Sequence, residues 1–533
     1  MHHRILFFVV GCLCCAVVWA HESDRHDWKP EAYAPTQAHA PTPLPDRVVL
    51  TWAGDPATTQ AVTWRTDTSV EAGLAEIAVA NDNGRALRPR QVRASTQRFE
   101  SDLNAAHYHT VKFEGLEPET LYAYRVGDGV NWTEYFHFKT ASREPKPFTF
   151  IYFGDAQNEV QTHWSRVFRE AFREAPRAAF TLHAGDLIDE DWSDREWGEW
   201  FWAPAWVNAT IPVIATPGNH EYFRANQGPA NERFWRNEDG QQIPVDVDIE
   251  EIAPDPAQRF RATAEDEQGR VAVVEFMDAG DEIVGVTGDI EAMLGYAPDE
   301  LVGTEFDDPP LDDVRRDRGV PMVSTHWRPS FEFPVQDVPA PGLEETVYFV
   351  DYQGVRIISL DSSKAREAQV PWLRSVLENN PNRWTIVTFH HPVFSPGRDR
   401  DNEELRELWK PLFDEFRVDL VLNGHDHTYV RTGPMQHRET VNLPTGYQQA
   451  YDPDIGTVYV VSVSGPKMYE ITKPPFGVRQ AENTQLYQVI HVTPWEIEFK
   501  AFTATGEPHD AFTLKQRDGQ PNQLVEMLPP DNR

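Results

Sequence analysis

A recurring design runs through this sequence: an apolar stretch, a turn of small residues, then side chains able to bind a cation. Residues 148–153 run into Gly154-Asp155-Ala156-Gln157, and 179–184 into Gly185-Asp186-Leu187-Ile188-Asp189. Residues 211–216 lead to Gly218-Asn219-His220-Glu221, and 384–389 to His390-His391-Pro392. Residues 418–422 deliver Asn423-Gly424-His425-Asp426-His427-Thr428-Tyr429. Histidines one residue apart at a strand end lie on the same side, and imidazole is the commonest side-chain metal ligand. One such pair alone is most often a surface feature; its recurrence with carboxylates after other strands is what predicts a site. Asp155 and Asp186 bring negative charge, Asn219 a neutral oxygen, and His390, His425 and His427 nitrogen. That mixture suits Fe, Mn or Zn, whereas Ca takes oxygens only. A structural zinc site would be closed by four Cys or His. Mixed ligands from separate turns predict catalysis instead, with a carboxylate shared by two ions that clamp the oxygens of a phosphoryl displacement.

The elements that position these turns read as strands alternating with helices, an α/β domain whose ligands gather at the carboxyl ends of strands. Val160, Trp164, Val167, Phe168, Ala171 and Phe172 recur at helical spacing, and Asn402 caps a second pattern through Leu405, Leu408, Trp409, Leu412 and Phe413. Trp192, Trp197, Trp200, Trp202 and Trp206 read as core residues of the same domain. Before it, period-two alternation at Val48, Leu50 and Trp52, at Val62 and Trp64, at Tyr122, Tyr124 and Val126, and at Phe136 and Phe138 predicts an all-β sandwich over 46–141. The catalytic domain is expected in two parts, 145–225 and 321–505, interrupted by an acidic, Pro-rich insertion at 226–320 and followed by a C-terminal tail, 506–533.

At 533 residues, with 17 Trp and 29 Phe, the chain has the material for several packed cores. Residues 1–20 read as a signal peptide, with Arg4 ahead of an apolar stretch and Ala20 at the cleavage point; 21–45 read as a linker. Lipidation at Cys12 is an alternative, since Val9-Val10-Gly11-Cys12 is similar to a bacterial lipoprotein box. Cys12, Cys14 and Cys15 all fall inside this segment, so the mature chain is expected to have neither a disulfide nor a transmembrane segment. A formal charge of −35 argues against a nucleic-acid scaffold and repels anionic substrates unless metal ions reverse the field locally.

Taken in order, GDAQ, GDLID, GNHEY, the strand ending in His390, and GHDHTYVR resemble the calcineurin-type metallophosphoesterases, with further matches at Thr325-His326 and Leu360-Asp361-Ser362-Ser363. The preceding sandwich resembles fibronectin type III, which points to the purple acid phosphatase branch. The resemblance implies that Asp186 bridges two metal ions, that Asp155 and His427 hold the first, and that Asn219, His390 and His425 hold the second. It implies that His220 protonates the leaving group or stabilises the transferring phosphate. Two positions depart from the pattern: the purple enzymes have a tyrosine where Asp189 stands, and the wider family a histidine where Gln157 stands. Gln157 and Asp189 are therefore further ligand candidates, and Arg398 is a candidate for the substrate phosphate.

The expected protein is a secreted or periplasmic enzyme that hydrolyses phosphate monoesters by attack of metal-bound hydroxide. The alternatives are a phosphodiesterase, including a nucleotide-directed one, and an inactive envelope-binding protein.

Overall fold

Asp46–Thr51, Gln60–Thr66, Ala105–Phe113 and Ser95–Glu100 form one antiparallel sheet in the order Asp46–Thr51, Gln60–Thr66, Ala105–Phe113, Ser95–Glu100. Arg90–Arg93, Leu74–Val79, Leu121–Gly127 and Phe136–Lys139 form the facing sheet. Leu50, Val62, Trp64, Ile77, Tyr124 and Phe138 meet between them, as the alternation requires. Every residue of Gln60–Thr66 is nonetheless buried, because its outer face docks on the next domain. There Thr63 donates to the Ser330 carbonyl, and Arg47 and Arg65 both pair with the buried Asp194, at 2.6 and 3.3 Å. Val49 and Trp52 continue into the core of that domain, Trp52 packing on Phe180 and Tyr352.

The computed structural model describes residues 33–226, 233–236, 242–253, 259–266, 268–277, 282–303, 319–397, 400, 402–437, 451–472, 476–517 and 520–528. The signal-like segment 1–20 with Cys12, residues 21–32 of the linker, and Arg398 lie outside them. The end of the linker is not plain coil: Pro35–Ala38 is a helical turn, and Arg65 donates to the His39 carbonyl at 3.0 Å.

The second domain is two sheets packed face to face with helices outside. In one, Val213–Ala215, Thr181–His183 and Phe148–Phe153 run parallel and continue into the antiparallel strands Leu486–Val492, Glu496–Thr503, Pro508–Arg517 and Gln520–Glu526. In the other, Val355–Ser359, Trp384–Thr388, Leu420–Asn423 and Tyr451–Val461 are parallel neighbours. The helices Arg366–Glu378 and Glu403–Phe416 cover the outer face of the second sheet through Trp372, Leu373, Trp409 and Phe413.

Several expectations are corrected here. Residues 506–517 and 520–528 are not a tail. Phe512 and Leu514 are buried in the first sheet, and the buried Asp510 pairs with Arg431 at 2.6 Å, a charge that would be costly to bury unpaired. Trp197 and Trp200 are core residues, but Trp192, Trp202 and Trp206 are each about half exposed. Trp202 lies off the i, i+3, i+4 stripe that Trp197, Trp200 and Phe201 make along Asp194–Trp202. Asn402 does precede its helix, yet its side chain donates to the Pro392 carbonyl at 2.8 Å instead of capping.

The described residues of 226–320, expected as an insertion, fold against one another. Arg233–Arg236, Gln242–Ala253, Arg259–Asp266, Val271–Met277 and Glu282–Gly288 make an antiparallel meander, and Ala262, Val274, Ile283, Ile290, Met293 and Leu294 form a small core of their own. This segment leaves and rejoins the domain through the paired strands Tyr222–Asn226 and Gly319–Val323, so its two ends are adjacent and the host strands keep their register.

Candidate metal centre

In the first sheet, His183 pairs with Phe153 and Ala215 with His183, so the strands preceding Asp155, Asp186 and Asn219 end level. In the second, Thr388 pairs with Leu422, so the turns carrying His390 and His425 also end together. The carboxyl edges of the two sheets meet. His425 donates its backbone N–H to Asp155 at 2.7 Å, and the Ala156 N–H reaches the Asp186 carbonyl at 2.9 Å. The small residues are required by contact. A Cβ at Gly218 would fall 2.0 Å from Asp186 Oδ1, and one at Gly424 2.2 Å from Asp155 Oδ1. Asp186, His425 and His427 themselves take positive φ of 49°, 78° and 45°, a costly conformation for non-glycine residues that clusters at functional sites.

Two groups of ligand-type atoms result, each within 4.8 Å: Asp186 with His390 and His425, and Asp155 and Asp186 with His427. Asp186 belongs to both. His390 Nε2 lies 3.0 Å from Asp186 Oδ2, 3.1 Å from Asn219 Oδ1 and 3.1 Å from His425 Nδ1. His427 Nε2 lies 3.1 Å from Asp155 Oδ2. Gln157 joins them, its amide 3.2 Å from Asp186 Oδ2 and 3.1 Å from His427 Nε2. Asp189 stands apart, beside His220 and Lys467.

The chemistry of this donor set fits cations. His390 Nδ1 donates to the Ala184 carbonyl at 2.9 Å and His427 Nδ1 to the Lys467 carbonyl at 3.1 Å, an arrangement that fixes each tautomer and aims the Nε2 lone pair inward. The His390 lone pair meets the Asp186 carboxylate and the Asn219 amide oxygen, and that of His427 meets the Asp155 carboxylate and the Gln157 amide nitrogen. Asp155 Oδ2 and Gln157 Oε1 are buried without any hydrogen-bond donor, and for the Asp155 carboxylate that is expensive unless a positive charge lies against it. Titration carries the same signature. Burial works against a charged imidazole at His390, yet Asp186 and then Asp155 lift its pKa to about 10. Burial likewise opposes the Asp186 charge, but His390 and His220 hold that carboxyl well below its usual range. A proton on His390 thus meets the field that a metal ion would meet. His425 is held well below its normal pKa by burial, then by His391 and His390, and so offers a neutral nitrogen.

His220 lies at the rim, its side chain 28% exposed. Its Nδ1 donates to the Asp189 carbonyl at 2.6 Å, with Asp189 Oδ1 3.4 Å away, which leaves Nε2 for proton transfer. His391 hydrogen-bonds Ser362 at 2.8 Å and packs on His425, a supporting position. The motif reading passed over Glu221. Its carboxylate takes the N–H groups of Asp186, Leu187 and Gly218 at 2.9, 2.7 and 2.6 Å, and so ties two ligand turns together. Its signal was adjacency to Asn219-His220. Lys467 and Tyr469, which touch His427 from a distant loop, had none.

Residues 45–140 match the purple acid phosphatase N-terminal domain, and residues 148–327 and 327–429 match the calcineurin-like phosphoesterase family. An acid phosphatase of Aspergillus ficuum is 23% identical over 432 residues, covering 66% of this chain and 63% of that protein. Acid phosphatase type 7 of Danio rerio is 31% identical over 126 residues, 23% of this chain and 28% of that protein. The chain thus spans less than two thirds of the length of these curated relatives. Among solved structures, a purple acid phosphatase from yellow lupin seeds superposes with a TM-score of 0.57 at 14% identity, covering 89% of this chain and 75% of that one. PhoD does so with a TM-score of 0.52 at 13% identity, covering 94% of each chain. Both show a shared fold. Since the phosphoesterase match takes in more than half the sequence, across every turn of the candidate metal centre, the chain belongs to the calcineurin-like phosphoesterase family.

Proposed function

We propose that the protein is a dinuclear metal-dependent phosphoesterase, acting outside the cytoplasm on small phosphate monoesters. The observation that carries this reading is the pair of ligand groups joined at Asp186. Asp155, Asp186, His427 and Gln157 would hold one ion, and Asp186, Asn219, His390 and His425 the other. The ions are Fe, Mn or Zn by the nature of the donors. When bound they supply charge neutralisation at the phosphoryl oxygens and a water of lowered pKa.

The chain's own residues do the rest. Asp186 and Asp155 concentrate negative charge in a buried pocket, where it attracts cations most strongly. His220, with Nδ1 engaged by the Asp189 carbonyl, presents Nε2 to the leaving oxygen and donates its proton as the ester bond breaks. The Asp189 carboxylate stands 3.4 Å from the same nitrogen and helps to orient the ring. Glu221 keeps the two ligand turns in place without entering the chemistry. The signal-like segment 1–20 supports export, and no described helix is long and apolar enough to cross a membrane.

The test is hydrolysis of a panel of phosphate mono- and diesters by the purified protein before and after chelation, with metal analysis of the same samples. Two ions per chain and monoester turnover that chelation abolishes are expected. Diester turnover in excess of monoester makes the protein a phosphodiesterase on the same centre. A metal-free protein, or turnover that survives chelation, overturns the reading.

A further inference from the structure

Lys467 belongs to the loop that follows the strand Tyr451–Val461, some forty residues from the nearest ligand turn in sequence. Its backbone is part of the metal centre, since its carbonyl accepts the His427 Nδ1–H at 3.1 Å. Two residues on, Tyr469 lies flat on the His427 ring, centroids 4.5 Å apart at 26°, and donates its backbone N–H to the His427 carbonyl at 3.3 Å. The loop is thus fixed to His427 from both sides, and the side chain of Lys467 is aimed from a rigid base. Its ammonium stands 3.8 Å from Asp189 Oδ1, the same oxygen that lies 3.4 Å from His220 Nδ1. The side chain is 35% exposed, and its ammonium lies on the side of Asp189 and His220.

Arg400 also flanks the centre, stacked 4.8 Å over Tyr469, but its N–H groups reach the His425 carbonyl and Asp426, at 3.3 and 3.4 Å. Those contacts brace the ligand turn. Lys467 has three N–H donors, of which one meets the Tyr469 side chain and another approaches Asp189 at 3.8 Å, which leaves a third for an incoming oxygen. The surroundings make such a cation necessary. The chain carries a formal charge of −35, and Asp189, Glu190 and Asp191 line the same rim, where an anionic ester is repelled. A monoester presents one more unesterified, charged oxygen than a diester.

We infer that Lys467 is a specificity-determining residue that holds an unesterified oxygen of the phosphoryl group and so selects doubly charged monoesters over singly charged diesters. This rests on the phosphoesterase reading above and names a group that the motifs of that family do not supply.

The experiment uses full-length, metal-loaded protein with Lys467→Met and Lys467→Arg. It compares kcat/KM for 4-nitrophenyl phosphate and bis(4-nitrophenyl) phosphate, inorganic phosphate binding by calorimetry, and metal content. Lys467→Met is expected to lower the monoester kcat/KM about 10- to 100-fold and to weaken phosphate binding to a similar degree, with the diester value changed less than about 3-fold. Lys467→Arg should restore most of both, and both variants should keep their metal. Equal losses on the two esters, or unchanged phosphate binding, overturn the inference; so does loss of metal from Lys467→Met, which would make the residue a support for His427. If the wild-type protein turns over monoesters and Lys467→Met does so equally well, this inference alone fails. If the wild-type protein binds neither metal nor phosphate, the phosphoesterase reading fails with it.

Discussion

The Glu221 carboxylate accepts the backbone N–H of Asp186 at 2.9 Å, and with its other contacts it holds the second ligand turn against the third. Asp186 is strained by its positive φ, and Gly218 packs too close to it for any side chain, so the two turns are held in contact by the Glu221 tether. Glu221→Ala should strand the Asp186, Leu187 and Gly218 N–H groups. Metal affinity is expected to fall about 10- to 100-fold, as when a group that orients ligands is removed, and stability by roughly 2–3 kcal/mol. Metal titration and thermal melts read both; unchanged affinity would show that the turns hold themselves.

Asp186 and Asp155 should behave differently on truncation. Asp186 is common to both ligand groups, whereas Asp155 belongs to one. Asp186→Ala is expected to lose both ions and all turnover, and Asp155→Ala one ion of the two. Metal analysis of the purified variants decides. Equal stoichiometry in both would refute the shared carboxylate.

His220→Gln should slow turnover by ~10²–10⁴-fold with metal content intact, the usual worth of a general acid. The penalty should be large for alkyl phosphates and small for 4-nitrophenyl phosphate, whose leaving group needs no proton. Asp189→Asn, which keeps the backbone carbonyl on Nδ1, is expected to fall between wild type and His220→Gln. Loss of metal in His220→Gln would make that residue a ligand.

The sequence pointed to Asp155, Asp186, Asn219, His390, His425 and His427 because each stands just beyond an apolar strand, a local pattern strengthened by the family resemblance, and the structure brings them close together. What local pattern cannot set was missed. Lys467 reaches the centre only because its carbonyl meets His427 across the fold. The strand Pro508–Arg517 is short of apolar residues, and its place in the sheet depends on Asp510 meeting Arg431, Arg479 and Tyr429, all distant in sequence. The tryptophans show the same limit within one helix. Composition marked the segment as core, but only the helical stripe separates the buried Trp197 and Trp200 from the exposed Trp202.

Colour gives a separate test of the first metal position. In the purple enzymes a tyrosinate on ferric iron absorbs visible light, and here Asp189 occupies that place. Tyr222 points instead to Asp361, and Tyr429 to Asp510 at 2.8 Å. Tyr469 stacks on His427 by its face, which does not direct its oxygen at the ligand nitrogens. An iron-loaded sample should therefore lack the purple band, and the pH optimum should be neutral to mildly alkaline. A purple band with an acidic optimum would show that another phenolate is a ligand.

The last prediction concerns the interface between the sandwich and the catalytic domain. Glu345 is buried there, its carboxylate 3.8 Å from Arg328, while its neighbour Glu332 pairs with Lys112 of the sandwich at 2.5 Å. Burial, then the Glu332 charge, push the Glu345 carboxyl up to about 8. In the unfolded chain the same group titrates near ~4.3. The folded state therefore holds a proton that the unfolded state has released. Its stabilising contribution is complete below the unfolded pKa, and is lost as pH rises towards and through the folded one. Thermal melts between pH 5 and pH 9 should show a fall of roughly 2–4 kcal/mol from this group. Glu345→Gln keeps the shape and cannot ionise, so its stability should stay flatter over that range and exceed the wild type most at pH 9. If the two proteins lose stability in parallel from pH 5 to pH 9, Glu345 is already charged in the fold and the interface tolerates both carboxylates.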